Sequence, residues 1–258
     1  MSAMVIFDRA AVIRHRDRAA PRLARLRPVL DDLAARVLDR LDDTGRSFAT
    51  ALDVGGRGVV APLLRARGLA VVSTDLSPAM ASACGGLAVA ADEEALPFGT
   101  GRFDLIVAHL ALHWVNDLPG ALIQLRRSLK PEGLFLASLP LLGTLDELRT
   151  ALIEAEAALT GGASPRVSPF PDLADCAALL GRAGFALPIA EREVIDFDYA
   201  DPAALLRDLR DAGETNATIA RSRRTVPRLL FPMALAALSP AGRLRTRLHL
   251  GVLTGWGS

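Results

Sequence analysis

The stretch Ala51-Leu52-Asp53-Val54-Gly55-Gly56-Arg57-Gly58 decides how this chain is read. An apolar run over 48–54 reads as a buried strand and closes on a glycine-rich turn, after which 59–67 carries a helical pattern. A second apolar run, 69–74, stops at Asp75, about twenty residues beyond the turn. Ser77 is then placed to cap a short helix over 77–83, with Pro78 at its first position. Further strands are expected over 87–91 and 103–109, a helix over 116–129, and a fifth strand over 134–139 after the turn Pro131-Glu132-Gly133. Continuous apolar strands alternating with helices predict a parallel sheet covered on both faces. Right-handed crossovers make it doubly wound, with a ligand crevice at the carboxyl ends of the strands.

Working outward, the first 45 residues read as helical. Leu30, Leu33, Val37 and Leu41 recur at helical spacing opposite Asp31, Asp32, Arg36 and Arg40. Helices are expected over 145–159, 172–183 and 202–212, one bent strand or a strand pair over 185–199, and a long final strand over 243–256. The four arginines of 221–228 read as surface. The expected organisation is a helical lid, 1–45, on a single domain, 46–258, with its core in 46–140 and additions in 141–258.

Composition narrows the function. Thirty basic groups against 29 acidic ones leave +1, which argues against an electropositive nucleic-acid binder. No apolar run is long enough to span a bilayer. Two cysteines, Cys84 and Cys176, build neither a disulfide framework nor a zinc site and fit a reducing compartment. The N-terminus is arginine-rich and resembles an organelle transit peptide in charge, but it is poor in serine; a folded basic helix on a cytoplasmic protein is the expectation.

Glycines after a parallel strand let backbone approach a ligand, although a tight strand-to-helix turn needs them too. Asp75 stands where a carboxylate can accept ribose hydroxyls, or where a helix start is merely acidic. Asp92 and Glu93 follow the third strand and could bind an adenine amine, or form a solvated turn. His109 and His113 are four apart, a spacing that can hold a metal, but no carboxylate joins them and leucines surround them. His113 and Trp114 are expected to line or flank the crevice.

Together these residues resemble the class I S-adenosylmethionine-dependent methyltransferases. Asp53 to Gly58 stands for the glycine motif, Asp75 for the ribose acid, and Asp92-Glu93 for the adenine turn. Phe103-Asp104-Leu105-Ile106-Val107, Leu112-His113-Trp114 with Asp117, and Leu129-Lys130-Pro131-Glu132-Gly133 match later landmarks. The resemblance implies a Rossmann-like, doubly wound, seven-stranded, mostly parallel α/β sheet. It also implies an S-adenosylmethionine site of Asp53, Gly55, Gly56, Gly58, Asp75, Leu76, Asp92, Glu93 and His109. His113, Trp114 and Asn116 are the expected catalytic residues, and no metal is implied.

A narrower likeness extends along the chain, through Phe7-Asp8-Arg9, Leu112 to Pro119, Thr144 to Arg149, Ser168-Pro169-Phe170, Leu180 to Phe185, Gly213-Glu214-Thr215-Asn216 and Gly255-Trp256. It resembles the branch holding the mitochondrial complex I assembly factor that hydroxylates an arginine of an iron–sulfur subunit. It is also similar to the methyltransferase of biotin synthesis that acts on malonyl-carrier protein. The resemblance implies a protein client, such as a complex I subunit or a carrier protein, in the cytoplasm of a bacterium or the mitochondrial matrix of a eukaryote. One departure stands out: the family pattern acid-x-Gly-x-Gly-x-Gly is one residue short here. The loop could still embrace the cofactor or leave a non-catalytic scaffold, so three expectations stand: methyltransferase, arginine hydroxylase, and assembly scaffold.

Overall fold

The computed structural model describes residues 5–240 and 242–257. Seven strands form one sheet in the order β3-β2-β1-β4-β5-β7-β6. They are β1 (Thr50–Val54), β2 (Ala70–Asp75), β3 (Leu87–Ala90), β4 (Phe103–His109), β5 (Leu129–Pro140), β6 (Ala186–Tyr199) and β7 (Leu244–Trp256). The first five run parallel, and β7 lies antiparallel between β5 and β6. The order turns at β1, with β2 and β4 on either side, so a crevice opens at the carboxyl ends of β1 and β4. The doubly wound, mostly parallel sheet expected from the alternating pattern is the sheet observed.

Each strand feeds two cores because successive side chains point to opposite faces. Ala51, Leu105, Val107, Leu134 and Leu136 face α2 (Arg27–Asp43) and α3 (Val60–Ala66). Leu52, Val54, Ile106, Ala108, Phe135 and Ala137 face α5 (Leu118–Ser128) and α7 (Leu173–Arg182). A third cluster joins α6 (Asp146–Thr160), α8 (Ala203–Asp211) and α9 (Leu230–Leu238) beyond the sheet. The remaining helices are α1 (Arg9–Ala19), followed by a 3₁₀ turn over Ala20–Leu26, and α4 (Pro78–Ala83). Ser77 caps α4 by accepting the Met80 amide, as its position predicts.

Beyond shifts of a residue or two at element ends, three features sharpen or add to the sequence reading. β5 begins at Leu129, because Leu129 pairs with Phe103 before an irregularity leads into the regular register at Leu134. The segment expected as one strand or two is a single strand, β6, paired with β7 from Tyr199↔Leu244 to Ala186↔Trp256 with one irregularity between Ala186 and Ile189. Helix α9 had no forecast; its apolar run, Leu230 to Leu238, lacks the polar alternation that marks an amphipathic helix. Residues 1–4 of the expected lid lie outside the described residues. Phe135 is fully buried and stacks on Phe185 at 4.8 Å. Phe135→Ala is therefore expected to lower stability by about 3–5 kcal/mol in urea unfolding.

Candidate functional site

β1 and β2 deliver Asp53 and Asp75 to one edge of the sheet, and both are fully buried. The loop after β1 is packed closely. A Cβ on Gly55 would lie 2.4 Å from Ala111 Cβ, one on Gly56 2.1 Å from Asp53 Oδ2, and one on Gly58 2.6 Å from the Ala83 carbonyl. These glycines are thus required by the loop's own packing, and Gly55 and Gly58 also hold positive φ, 65° and 68°. The Gly56 amide donates to the Thr74 carbonyl and the Gly58 amide to Cys84 Sγ.

Helix α1 lies over this edge and supplies its cations. Asp8 caps the helix by accepting the Ala11 amide. Arg16, 1% exposed, places Nη1 3.3 Å from both Asp75 oxygens and 3.5 Å from Glu93 Oε1. Arg9 bonds Asp92 Oδ1 at 2.6 Å, Glu93 Oε2, and the Trp114 carbonyl at 3.0 Å. Asp75 also accepts the Ser77 amide at 2.7 Å. The acids expected to hold ribose and adenine are thus gathered together, and in this structure their partners are arginines of α1. Burial would lower the Arg16 guanidinium, but Asp75 and Glu93 outweigh it and hold it above its ordinary value.

A second hub sits at the end of β4. Glu214, from the turn after α8, places Oε1 2.7 Å from Arg57 Nη2. Its Oε2 accepts from His113 Nε2 at 2.8 Å and from Trp114 Nε1 at 2.7 Å. Burial would raise this carboxyl; Arg57 and His113 outweigh it and hold it well below the usual carboxylate range. Arg57 also donates to the Leu110 carbonyl at 2.6 Å, and both residues have positive φ, 48° and 49°. Left-handed backbone at two bulky residues bonded to each other is strain held in place by the surrounding contacts. His109 Nδ1 lies 2.8 Å from Ser138 Oγ, and burial beside Arg57 and His113 lowers its imidazole to about 3, so it is neutral. The two histidines therefore face different partners. Among the described residues, no group of three or more His, Cys, Asp or Glu is placed to hold a metal.

Asn116, expected beside the acceptor, commits its side chain elsewhere. Its Oδ1 accepts the amides of Ile6 and Phe7, and its Nδ2 donates to the Phe7 carbonyl. Phe7 in turn meets Trp114 edge-on at 5.2 Å. Leu76 packs against the small cluster of Phe7, Ala11, Val12, Trp114 and Ala217. Sequence reasoning had passed over Arg16, Arg57, Ser138 and the role of Glu214. Arg16 carried one signal: it shares the buried stripe of α1 with Val12 and Ala19, an unusual place for a charge.

Above Glu214 lies an apolar cleft of about 900 Å³, with His113, Trp114 and Leu110 at one end and Phe170, Phe197 and Leu205 among its walls. At the sheet edge, several buried polar atoms lack a hydrogen-bond partner: Arg16 Nε and Nη2, Arg57 Nε, Asp53 Oδ1, Thr74 Oγ1 and His109 Nε2. A finished core does not leave so many unpaired groups together. Donors and acceptors mixed in this way fit a polar nucleoside bearing an amino acid tail. The residues fit S-adenosylmethionine, provided Arg16 gives up Asp75.

The comparisons bear on this geometry. A methyltransferase-domain model matches residues 52–137. The chain is 36% identical over 222 residues to the zebrafish (Danio rerio) protein named arginine-hydroxylase NDUFAF5, mitochondrial, covering 83% of this chain and 69% of that one. It is 34% identical over 251 residues to the malonyl-[acyl-carrier protein] O-methyltransferase of Halorhodospira halophila, covering 93% and 82%. The chain belongs to the methyltransferase family that contains these proteins. Against the human protein of the NDUFAF5 name it is 38% identical and spans 64% of the length. Among solved structures it resembles the YcgJ protein of Bacillus subtilis, with a TM-score of 0.59 at 15% identity over 86% of this chain and 98% of that one, which supports the fold. No helix among the described residues is long and apolar enough to cross a membrane.

Burial raises the Asp53 carboxyl from 3.8 to about 7, its Oδ1 unpaired and Ser73 Oγ 3.4 Å from Oδ2. A carboxyl whose folded value exceeds its unfolded value favours the native state when protonated. That contribution is complete below about pH 4 and is lost as pH rises to about 7. Unfolding free energy measured against pH should therefore carry, from this group, a falling component approaching about 1.4 kcal/mol per pH unit in that window. Asp53→Asn should remove it.

Proposed function

We propose that the chain binds S-adenosylmethionine at the carboxyl edge of β1 and β2 and transfers its methyl group to a protein client. The observation that carries the reading is the convergence of Asp53, Asp75 and the 55–58 loop with unpaired buried polar atoms beside an apolar cleft. Asp75 would hold the ribose hydroxyls once Arg16 withdraws, with Asp92, Glu93 and Leu76 around the adenine. The 55–58 loop and His109 would meet the methionine tail. Bound there, the cofactor supplies an electrophilic methyl group on a sulfonium.

The chain's own residues do the rest by position and proton handling. His113 gives Nε2 to Glu214, and its Nδ1 is buried without a partner, so the ring is oriented with its second nitrogen uncommitted. We assign it the role of accepting the acceptor's proton. Trp114 walls the cleft and is fixed by the same carboxylate. Asn116 holds the Ile6–Phe7 segment down, which keeps water from the site.

A protein client is supported by the names of the relatives, one acting on a carrier protein and one on arginine. Together with the resemblance drawn from the sequence, they support complex I assembly as the setting. The location that follows is the bacterial cytoplasm, or the mitochondrial matrix in a eukaryote. The arginine-hydroxylase name favours a second reading, in which the same cleft receives a client arginine. Mass spectrometry of the client after incubation separates the two: methyl transfer adds CH₂, hydroxylation adds O. His113→Gln should slow either product by about 10²–10⁴-fold while leaving cofactor affinity nearly unchanged.

Calorimetric titration with S-adenosylmethionine and S-adenosylhomocysteine tests the binding step, and the absence of heat and of a thermal shift at millimolar ligand would leave a scaffold. Arg16→Met supplies a sharper test with effects of opposite sign. Removing a buried counter-ion should cost the ligand-free protein about 3–5 kcal/mol. It also removes the competitor for Asp75, so cofactor affinity should rise by about tenfold or more, read by the same titration.

A further inference from the structure

We propose that the segment from Arg221 through α9 is a docking surface for an anionic phospholipid membrane. No Asp or Glu occurs anywhere after Glu214, while seven arginines do. Four of these are occupied: Arg221 pairs with Asp8, and Arg243, Arg245 and Arg247 pair with Asp198 or Asp196 of β6. The other three, Arg223, Arg224 and Arg228, are exposed, and no ion pair is found for them among the described residues. Between and just after them stand Val226, Leu229, Phe231 and Met233, each between 38% and 59% exposed. Buried Leu230 and Ala234 seat α9 on the cluster it shares with α6, which anchors the carboxyl end of this segment; the three arginines, Val226 and Leu229 lie in the irregular stretch that leads into the helix.

Exposed cations interleaved with exposed aliphatic and aromatic side chains match a surface that offers phosphate and hydrocarbon together. A lipid interface does so without demanding a register, whereas an acidic protein would leave the apolar groups in need of pockets. At nine residues α9 is far too short to span, so the surface lies on the membrane. Phe231 and Pro232 also line the 900 Å³ cleft, and docking would bring the cleft's rim toward the lipid.

The test is flotation of the full chain with vesicles of phosphatidylcholine alone and with about one third phosphatidylglycerol. Binding is expected to the anionic vesicles only, and to fall as salt rises from about 0.05 M to about 0.5 M. The triple variant Arg223→Gln/Arg224→Gln/Arg228→Gln should lower the partition by roughly 100-fold, about fivefold per arginine. The double variant Leu229→Ser/Met233→Ser should weaken binding at high salt most. Thermal unfolding of each variant near the wild-type midpoint confirms that the fold is kept. Equal binding to neutral vesicles, binding untouched by the triple variant, or no flotation combined with arginine-dependent capture by polyglutamate would overturn the lipid assignment. The last result would make this a surface for an acidic protein.

Discussion

Asp75 and Glu93 are buried carboxylates, and Arg16 is the cation that makes their burial tolerable. An isolated charge in such a place costs several kcal/mol, so the sheet edge cannot close unless a counter-charge comes with it. This decides where α1 lies. The helix contributes few apolar atoms to its seat, chiefly Ala11, Val12 and Ala19. What holds it are Arg16 on Asp75 and Glu93 and Arg9 on Asp92 and Glu93. Any ligand that takes Asp75 must either replace this positive charge or leave room for it nearby. The position of α1 and the occupancy of the edge are therefore coupled through one carboxylate. Arg16 Nη1 lies only 3.9 Å from where a Gly55 side chain would begin, so it already spans from the acid to the glycine loop.

The second hub obeys the same constraint with chain-distant partners. Glu214 lies some hundred residues beyond His113 and ties Arg57 of the glycine loop to the histidine and to Trp114. The shortened loop gains its meaning here. With three glycines folded against Ala111, Asp53 and Ala83, the one side chain in the turn, Arg57, is sent across to Glu214. The strained backbone of Arg57 and Leu110 is held by that connection. The late additions to the sheet thus complete the site; they are not decoration on a finished core.

The sheet was legible because its information is local. Apolar runs at 48–54, 69–74 and 103–109, separated by helical spacing, leave little choice of architecture, and Asp53, the glycines and Asp75 fall at strand ends where the topology must bring them together. The site's charge balance was not legible. Which of seven N-terminal arginines turns inward depends on helix phase and on carboxylates as many as 77 residues away, and only the position of Arg16 on the stripe with Val12 and Ala19 hinted at it. Asn116 shows the converse. Its place after His113 and Trp114 suggested the acceptor, yet its amide closes on Ile6 and Phe7, because a planar group with a donor and an acceptor matches two neighbouring backbone amides and a carbonyl. Helix α9 was hidden because an all-apolar run carries no phase.

A net charge of +1 conceals a strong separation. The first 28 residues carry seven arginines and two acids, the last 44 carry seven arginines and no acid, and the chain between them is net acidic. The two basic ends then behave differently for one reason. Arginines of α1 find Asp75, Asp92 and Glu93 within reach and become internal counter-ions that shape a site. Arg223, Arg224 and Arg228 have no carboxylate on their own stretch of chain, and no ion pair is found for them among the described residues, so their charge is left exposed. Whether an arginine is structure or surface is fixed here by the supply of acid around it, a property of the fold that no composition average can report.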